Sequence, residues 1–111
     1  MSAFASKVYE LVSEVPVGKV TTYGAVADRM GKPRASRAVG AVLRANPTPV
    51  IVPCHRVVKG DGKLGGYGGP KGTGRKAELL KEEGVEVRGG RVDLSIYLFT
   101  WPVNRARSSR A

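Results

Sequence analysis

Cys54 and His55 stand side by side in the segment Pro53-Cys54-His55-Arg56-Val57-Val58, and they are the only cysteine and the only histidine in 111 residues. A single cysteine has no disulfide partner in its own chain, and one thiolate with one imidazole falls short of a structural zinc site, so no metal is expected. The chemistry left to such a pair is nucleophilic: a thiol whose proton an imidazole removes. An isolated cysteine is most often a small buried hydrophobe. Three features point beyond that here. The segment lies between a proline-rich and a glycine-rich stretch rather than inside a helical pattern, its neighbour is the only imidazole, and the chain is strongly cationic, a setting that in general favours thiolates. Adjacent residues of an extended strand point to opposite sides, so coupling the two side chains requires a local bend or a bridging water.

Lysines and arginines number 19 against 9 acidic residues, for a formal net charge of +10. That balance makes polyanions the first class of partner to consider. No apolar run approaches the roughly 18–20 residues of a membrane span. Lys7 and Glu10 interrupt the apolar pattern of the N-terminal residues, which argues against a secretory signal. An unpaired thiol suits a reducing compartment, and the expected location is the cytoplasm. The length fits one domain with a modest core, over residues 1–102, followed by a basic, disordered tail over 103–111 that carries Arg105, Arg107 and Arg110.

The elements that must position the pair are mainly helical. Phe4, Val8, Leu11, Val12 and Val15 recur at helical spacing and predict a first helix over 3–15, stopped by Pro16-Val17-Gly18. Thr22 has the character of an N-cap for a helix over 23–30 that Gly31 ends. Pro33 opens a third helix over 34–45, closed by Asn46-Pro47. Two short helices joined by a glycine-containing turn read as a helix-turn-helix. In the third helix Val39, Val42 and Leu43 face inward. Arg34, Arg37, Ala38, Ala41 and Arg44 share another face bordered by Gly40. Small residues permit close approach to a surface and the arginines reach phosphates or bases, so this face is the expected nucleic-acid contact.

Val50-Ile51-Val52, bracketed by prolines, predicts a short buried extended segment leading into Cys54. Lys59 to Gly74 reads as a glycine-rich loop folded over the site, mobile near its end. Thr73 would cap a fourth helix over 75–83 that Gly84 terminates, and Val85-Glu86-Val87 and Arg91-Val92-Asp93-Leu94 would be the strands of a β-hairpin turned at Arg88-Gly89-Gly90. Leu98, Phe99 and Trp101 are expected to cover the core. The expected fold is mainly α: a helix-turn-helix, winged-helix-like DNA-binding domain with a short β-hairpin and a glycine-rich active-site loop.

The segment Pro53 to Val58 resembles the active-site signature of the O6-alkylguanine-DNA alkyltransferases, the methylated-DNA–protein-cysteine methyltransferases. The resemblance runs from Phe4 to about Gly84. It includes Gly18-Lys19-Val20-Thr21-Thr22-Tyr23-Gly24, Ala35-Ser36-Arg37-Ala38-Val39-Gly40, Leu43-Arg44-Ala45-Asn46-Pro47 and Leu79-Leu80-Lys81-Glu82-Glu83-Gly84, in the family's order and spacing.

This resemblance implies stoichiometric repair without a cofactor, by a monomer that binds double-stranded DNA containing O6-alkylguanine through the minor groove. Arg37 matches the finger that fills the stack after the nucleotide is flipped out. Tyr23 matches the tyrosine that assists extrusion and hydrogen-bonds N3 of the leaving guanine. Cys54 would attack the alkyl carbon, His55 would take the thiol proton through a water, and Glu83 would orient the imidazole and stabilise its charged form. Asn46 would brace the turn before the active-site strand, with Pro49, Val57, Tyr67 and Gly68 as pocket walls or backbone contacts. Thr22, Ala35, Ser36, Gly40 and Arg44 would join Tyr23 and Arg37 at the DNA.

Gly68 stands where many members carry serine, and Gly66 where asparagine is common. Most members also carry a preceding domain, whereas the first helix here begins directly after Met1. The tail through Trp101-Pro102 is similar to the compact alkyltransferase-like proteins. Those have tryptophan or alanine in place of the cysteine and flag lesions for excision repair without transferring the alkyl group.

Overall fold

The computed structural model describes residues 2–46, 51–65 and 72–102. Helix α1 spans Ala3–Ser13, its N-cap Ser2 accepting from the Ala5 amide, and it buries Val8, Leu11 and Val12. Past its end, the amides of Glu14 and Val15 reach back to the Leu11 and Val12 carbonyls, which carries Val15 into the core without extending the α-helix. Strand β1, Thr21–Thr22, leads directly into α2, Tyr23–Arg29. Thr22 caps α2 through its hydroxyl, 3.0 Å from the Ala25 amide.

Gly31, at φ +75°, ends that helix, with the Lys32 amide returning to the Ala27 carbonyl at 2.9 Å. This is the Schellman closure that a left-handed glycine permits. Helix α3 spans Ser36–Arg44. It begins two residues later than Pro33 suggested, because Pro33 and Arg34 lie in the preceding turn, and Ala35 at the cap position offers no side-chain acceptor. Helices α2 and α3 pack on each other and on α1, giving the expected helix-turn-helix a three-helix base.

Beyond the active-site segment comes β2, Val57–Val58, which pairs in parallel with β1, Thr21 opposite Val57 and Thr22 opposite Val58. Side chains alternate along a strand. Val57 accordingly joins the helical cluster of α1, α2 and α3, while Val58 joins a second cluster with Val20, Leu64, Leu80, Val85 and Val92. Helix α4, Gly72–Glu82, is followed by the hairpin β3, Val87–Arg88, and β4, Arg91–Val92, and by α5, Leu94–Tyr97. Gly84, at φ +87°, stops α4 with a second Schellman closure, the Val85 amide on the Leu80 carbonyl at 2.9 Å.

Four expectations need correction. Ile51 is 80% exposed. Val52 packs against the helical cluster, whereas Ile51 lies in a turn and faces solvent. The glycine-rich segment is shorter as a loop than its composition suggests. Lys59 to Lys63 forms a closed turn, the Lys59 amide on the Lys63 carbonyl at 2.8 Å, and α4 already begins at Gly72, ahead of Thr73. The hairpin pairs from Val87, not Val85, because Val85 is fully buried in the second cluster. Leu98 is 38% exposed, so of the three residues expected to cover the core it is Trp101, with Phe99 edge-on to its ring, that packs on the helical cluster. The tail over 103–111 lies outside the described residues. No helix among the described residues is long and apolar enough to cross a membrane.

Gly62 joins the turn to the hairpin. It adopts φ +89°, its carbonyl accepts from the Val92 amide at 2.8 Å, and a Cβ built on it would overlap the Val92 carbonyl oxygen. Backbone cannot yield there as a flexible side chain would. Gly62→Ala is therefore expected to destabilise the domain by roughly 2 kcal/mol or more, read by urea unfolding, from the left-handed conformation and the overlap together. An unchanged midpoint would contradict this.

Candidate active site

The bend that the Cys54-His55 pair requires is built by Pro53. Its φ of −79° and ψ of 64° form an inverse γ-turn, closed by the Cys54 amide on the Val52 carbonyl at 2.7 Å. A single turn of 3₁₀ helix, Cys54–Arg56, follows. Neighbouring side chains in that turn no longer alternate as in a strand. Cys54 is 7% exposed and sits on the floor of the helical cluster, and His55 is wholly buried. Asn46, just past α3, donates from Nδ2 to the Val52 carbonyl at 2.9 Å and to Cys54 Sγ at 3.4 Å, tying the end of α3 to the turn.

His55 Nε2 lies 2.9 Å from Glu83 Oε2. Burial acts to raise the Glu83 pKa, but hydrogen bonds from Arg56 and His55 outweigh it and hold the carboxyl below its ordinary range. An ionised carboxylate only accepts, so Nε2 carries the hydrogen. In the neutral ring Nδ1 is then the bare, proton-accepting nitrogen, and Nδ1 has no hydrogen-bond partner among the described residues. Burial also holds the His55 pKa below the ordinary imidazole value. The contact with Glu83 opposes that shift, and the cations Arg56 and Lys76 reinforce it. The arrangement therefore presents a neutral base at physiological pH.

Two further residues enter the site. Arg56 sets its guanidinium on the same carboxylate, Nε to Glu83 Oε1 at 2.9 Å and Nη2 to Oε2 at 2.8 Å, and its Nη1 donates to the Val15 carbonyl at 2.7 Å. Lys76 is wholly buried and donates to the Leu64 carbonyl and, at 3.4 Å, to the Tyr23 hydroxyl. Burial lowers its pKa to about 8, with the nearby Cys54 acting in the opposite direction. The Tyr23 pKa is raised, first by burial and then by Cys54, against the pull of Arg44.

Neither Arg56 nor Lys76 received a role from sequence. A signal existed for Lys76: with Leu80 and Glu83 it falls at i, i+4 and i+7, on the inward side of α4 and its end. Arg56 lies within the Pro53–Val58 signature, but its spacing does not reveal a carboxylate partner 27 residues away.

Tyr23, the first residue of α2, stands between two glycines: a Cβ at Gly40 would lie 3.8 Å from its ring, and one at Gly65 would lie 3.2 Å from its hydroxyl. A cleft of about 390 Å³ opens beside it, lined by Tyr23, Ser36, Arg37, Gly40, Arg44, Lys59 and Gly65, with no acidic side chain in the lining. A larger groove of about 880 Å³, between α1 and the end of α2, contains none of the candidate residues.

Arg34, Arg37, Ala38, Ala41 and Arg44 are exposed, so the arginine–alanine face lies open to solvent next to the cleft. Ala35 and Ser36 are half-buried at the start of that face. Thr22 is nearly buried with its hydroxyl engaged in the cap, and Val57 is wholly buried in β2. Pro49, Tyr67 and Gly68 lie outside the described residues. Among the described residues no cluster of histidine, cysteine and acidic side chains is able to hold a metal ion.

Residues 3–85 match the family described as 6-O-methylguanine DNA methyltransferase, DNA binding domain. Among curated proteins, the chain is 47% identical over 81 residues to a methylated-DNA–protein-cysteine methyltransferase of Methanosarcina acetivorans, covering 73% of this chain and 51% of that protein. Among solved structures it is similar to S. pombe Atl1 in complex with damaged DNA containing O6-carboxymethylguanine. That match has a TM-score of 0.82 at 34% identity and covers 91% of this chain and 98% of the other. It is also similar to Mycobacterium tuberculosis OGT in complex with DNA, with a TM-score of 0.72 at 43% identity, over 76% of this chain and 50% of that one. The chain spans between 23% and 51% of the length of the first curated relatives it matches.

Proposed function

The chain belongs to the 6-O-methylguanine DNA methyltransferase family through its DNA-binding domain, and on that premise we propose that it repairs alkylated DNA by moving the alkyl group from O6 of guanine onto Cys54. The observation that carries the reading is the coupling at the 3₁₀ turn. A nearly buried thiol braced by Asn46 is followed directly by a buried imidazole whose Nε2 is tied to Glu83 and whose Nδ1 is open to accept a proton.

The cationic face of α3 docks on the duplex, and its arginines neutralise phosphates. Arg37 occupies the stack while the damaged nucleotide rotates out. The cleft beside Tyr23 receives the base. His55 Nδ1 takes the thiol proton through a water, Cys54 Sγ forms a bond to the alkyl carbon, and the bond from that carbon to O6 breaks. The electron pair stays on the guanine, whose N3 accepts a hydrogen bond or a proton from the Tyr23 hydroxyl. The product is a thioether that no simple nucleophile reverses, so each molecule acts once.

The decisive test is intact-mass spectrometry after incubation with a duplex containing O6-methylguanine. A gain of one methyl per molecule is expected. A second reading, lesion binding without transfer, is favoured by the match to Atl1 over nearly the whole of that chain. Cys54 weighs against it, because the alkyltransferase-like proteins described above lack a cysteine there. An unchanged mass with lesion binding preserved would select it.

A further inference from the structure

We propose that Arg56 is a positioning residue that keeps His55 in its neutral, proton-accepting form by occupying the Glu83 carboxylate with a two-pronged fork. The inference rests on the reading of His55 as the base, and it concerns how that base is kept available.

A carboxylate 2.9 Å from an imidazole inside a protein normally favours the protonated ring. A histidine held as imidazolium has no lone pair with which to take a thiol proton. The carboxylate that orients His55 would therefore, acting alone, also disable it. Arg56 resolves the conflict. Its Nε and Nη2 cover both oxygens of Glu83, so the carboxylate keeps its hydrogen bond to Nε2 while its charge is balanced by a guanidinium. The third bond, Nη1 to the Val15 carbonyl, anchors the guanidinium to the segment after α1, so it holds its place whatever the charge on His55.

The charged and titratable groups facing His55 can be named element by element. The 3₁₀ turn contributes Cys54 and Arg56, and α4 with its end contributes Lys76 and Glu83. From the segment after α1 comes the Val15 carbonyl that Arg56 uses. Protonating His55 would place a new positive charge among two existing cations and one carboxylate already shared. Arg56 and Lys76 do not act alike: Lys76 exerts its charge from a position bonded to Leu64 and Tyr23, whereas Arg56 sits on the very oxygen that His55 uses.

Because His55 is the only histidine in the chain, its imidazole nitrogens give a single, unambiguous set of NMR signals. Titrating the free protein without DNA reads both tautomer and midpoint. The wild type is expected to show the Nε2–H tautomer and a midpoint below 6.5. Arg56→Gln is expected to raise the midpoint by about one unit or more, a tenfold gain in proton affinity. Arg56→Lys, which keeps a cation but not the fork, should raise it by less. The acid limb of Cys54 alkylation by iodoacetamide should move up in parallel.

A role limited to tying the elements together would lower thermal stability in both variants and leave the midpoint where it is. An unchanged midpoint in folded Arg56→Gln overturns the proposal. If that variant does not fold, an unchanged midpoint in Arg56→Lys overturns it equally. No alkylated DNA enters the titration, so its outcome is independent of whether the protein transfers alkyl groups.

Discussion

Cys54→Ala is expected to take up no alkyl group from O6-methylguanine DNA, yet to bind the lesion duplex within about threefold of the wild type. Both halves follow from where the thiol sits. It is the nucleophile that the proposed reaction requires at the alkyl carbon, and removing a covalent nucleophile typically costs on the order of 10³-fold in rate or more. Affinity, in contrast, is expected from the exposed arginines of α3 through phosphate neutralisation, a term in which Sγ has no part.

The scaffold tolerates the change. Cys54 is a small member of the helical cluster, and Asn46 keeps its stronger bond, to the Val52 carbonyl, when the sulfur is gone. The loss in stability should be about 1 kcal/mol. Intact mass reads the first half and fluorescence anisotropy of a labelled duplex the second. A variant that lost lesion binding along with transfer would show that Cys54 also supports the surface that binds the lesion. No gain in mass of the wild type after exposure to the lesion would remove the transfer reading.

Lys76→Met is expected to abolish a rise in stability of the wild type between about pH 8 and pH 10.5. Folding lowers the Lys76 pKa from 10.5 to about 8, so across that window the unfolded chain holds a proton that the folded protein has released. Stability increases with pH wherever the unfolded state binds more protons. Below pH 8 the folded protein carries a buried ammonium at a cost. Above 10.5 the amine is neutral in both states and the cost is gone. The full increment is roughly 3 kcal/mol at about 1.4 kcal/mol per unit.

At pH 7 the variant's net change is small, because losing the buried charge is offset by removing a donor from the Leu64 carbonyl, worth about 1–3 kcal/mol. The difference between the two proteins as a function of pH is therefore the informative quantity, since lysines and tyrosines elsewhere cancel in it. Urea unfolding from pH 7 to pH 11 gives that difference. A flat curve would mean that Lys76 titrates as an exposed lysine does.

Much of the site's framework was legible in local chemistry. Thr22 as a cap, with Gly31 and Gly84 as left-handed stops, are requirements of backbone hydrogen bonding that a few adjacent residues satisfy by themselves. The inward valines and outward arginines of α3 follow from helical period alone. Ile51 shows the limit of the same logic. Apolar neighbours between prolines look uniformly buried, but Ile51 lies in a turn open to solvent while Val52 meets the core.

The chain order by itself determined the reactive pair, the basic face and the family's motifs, because each is a matter of residue type at short spacing. Only the tertiary structure decided what state those residues are in. The parallel pairing of β1 with β2 joins segments 36 residues apart. With it come the Arg56–Glu83 fork, the Tyr23 ring between Gly40 and Gly65, and the burial of Lys76. Local periodicity reports which face of an element is apolar. The charge carried by His55, Glu83 or Lys76 depends on which distant groups meet it after water has been expelled. That is a property of the closed fold, and it converts an adjacent cysteine and histidine into a thiol with a neutral base.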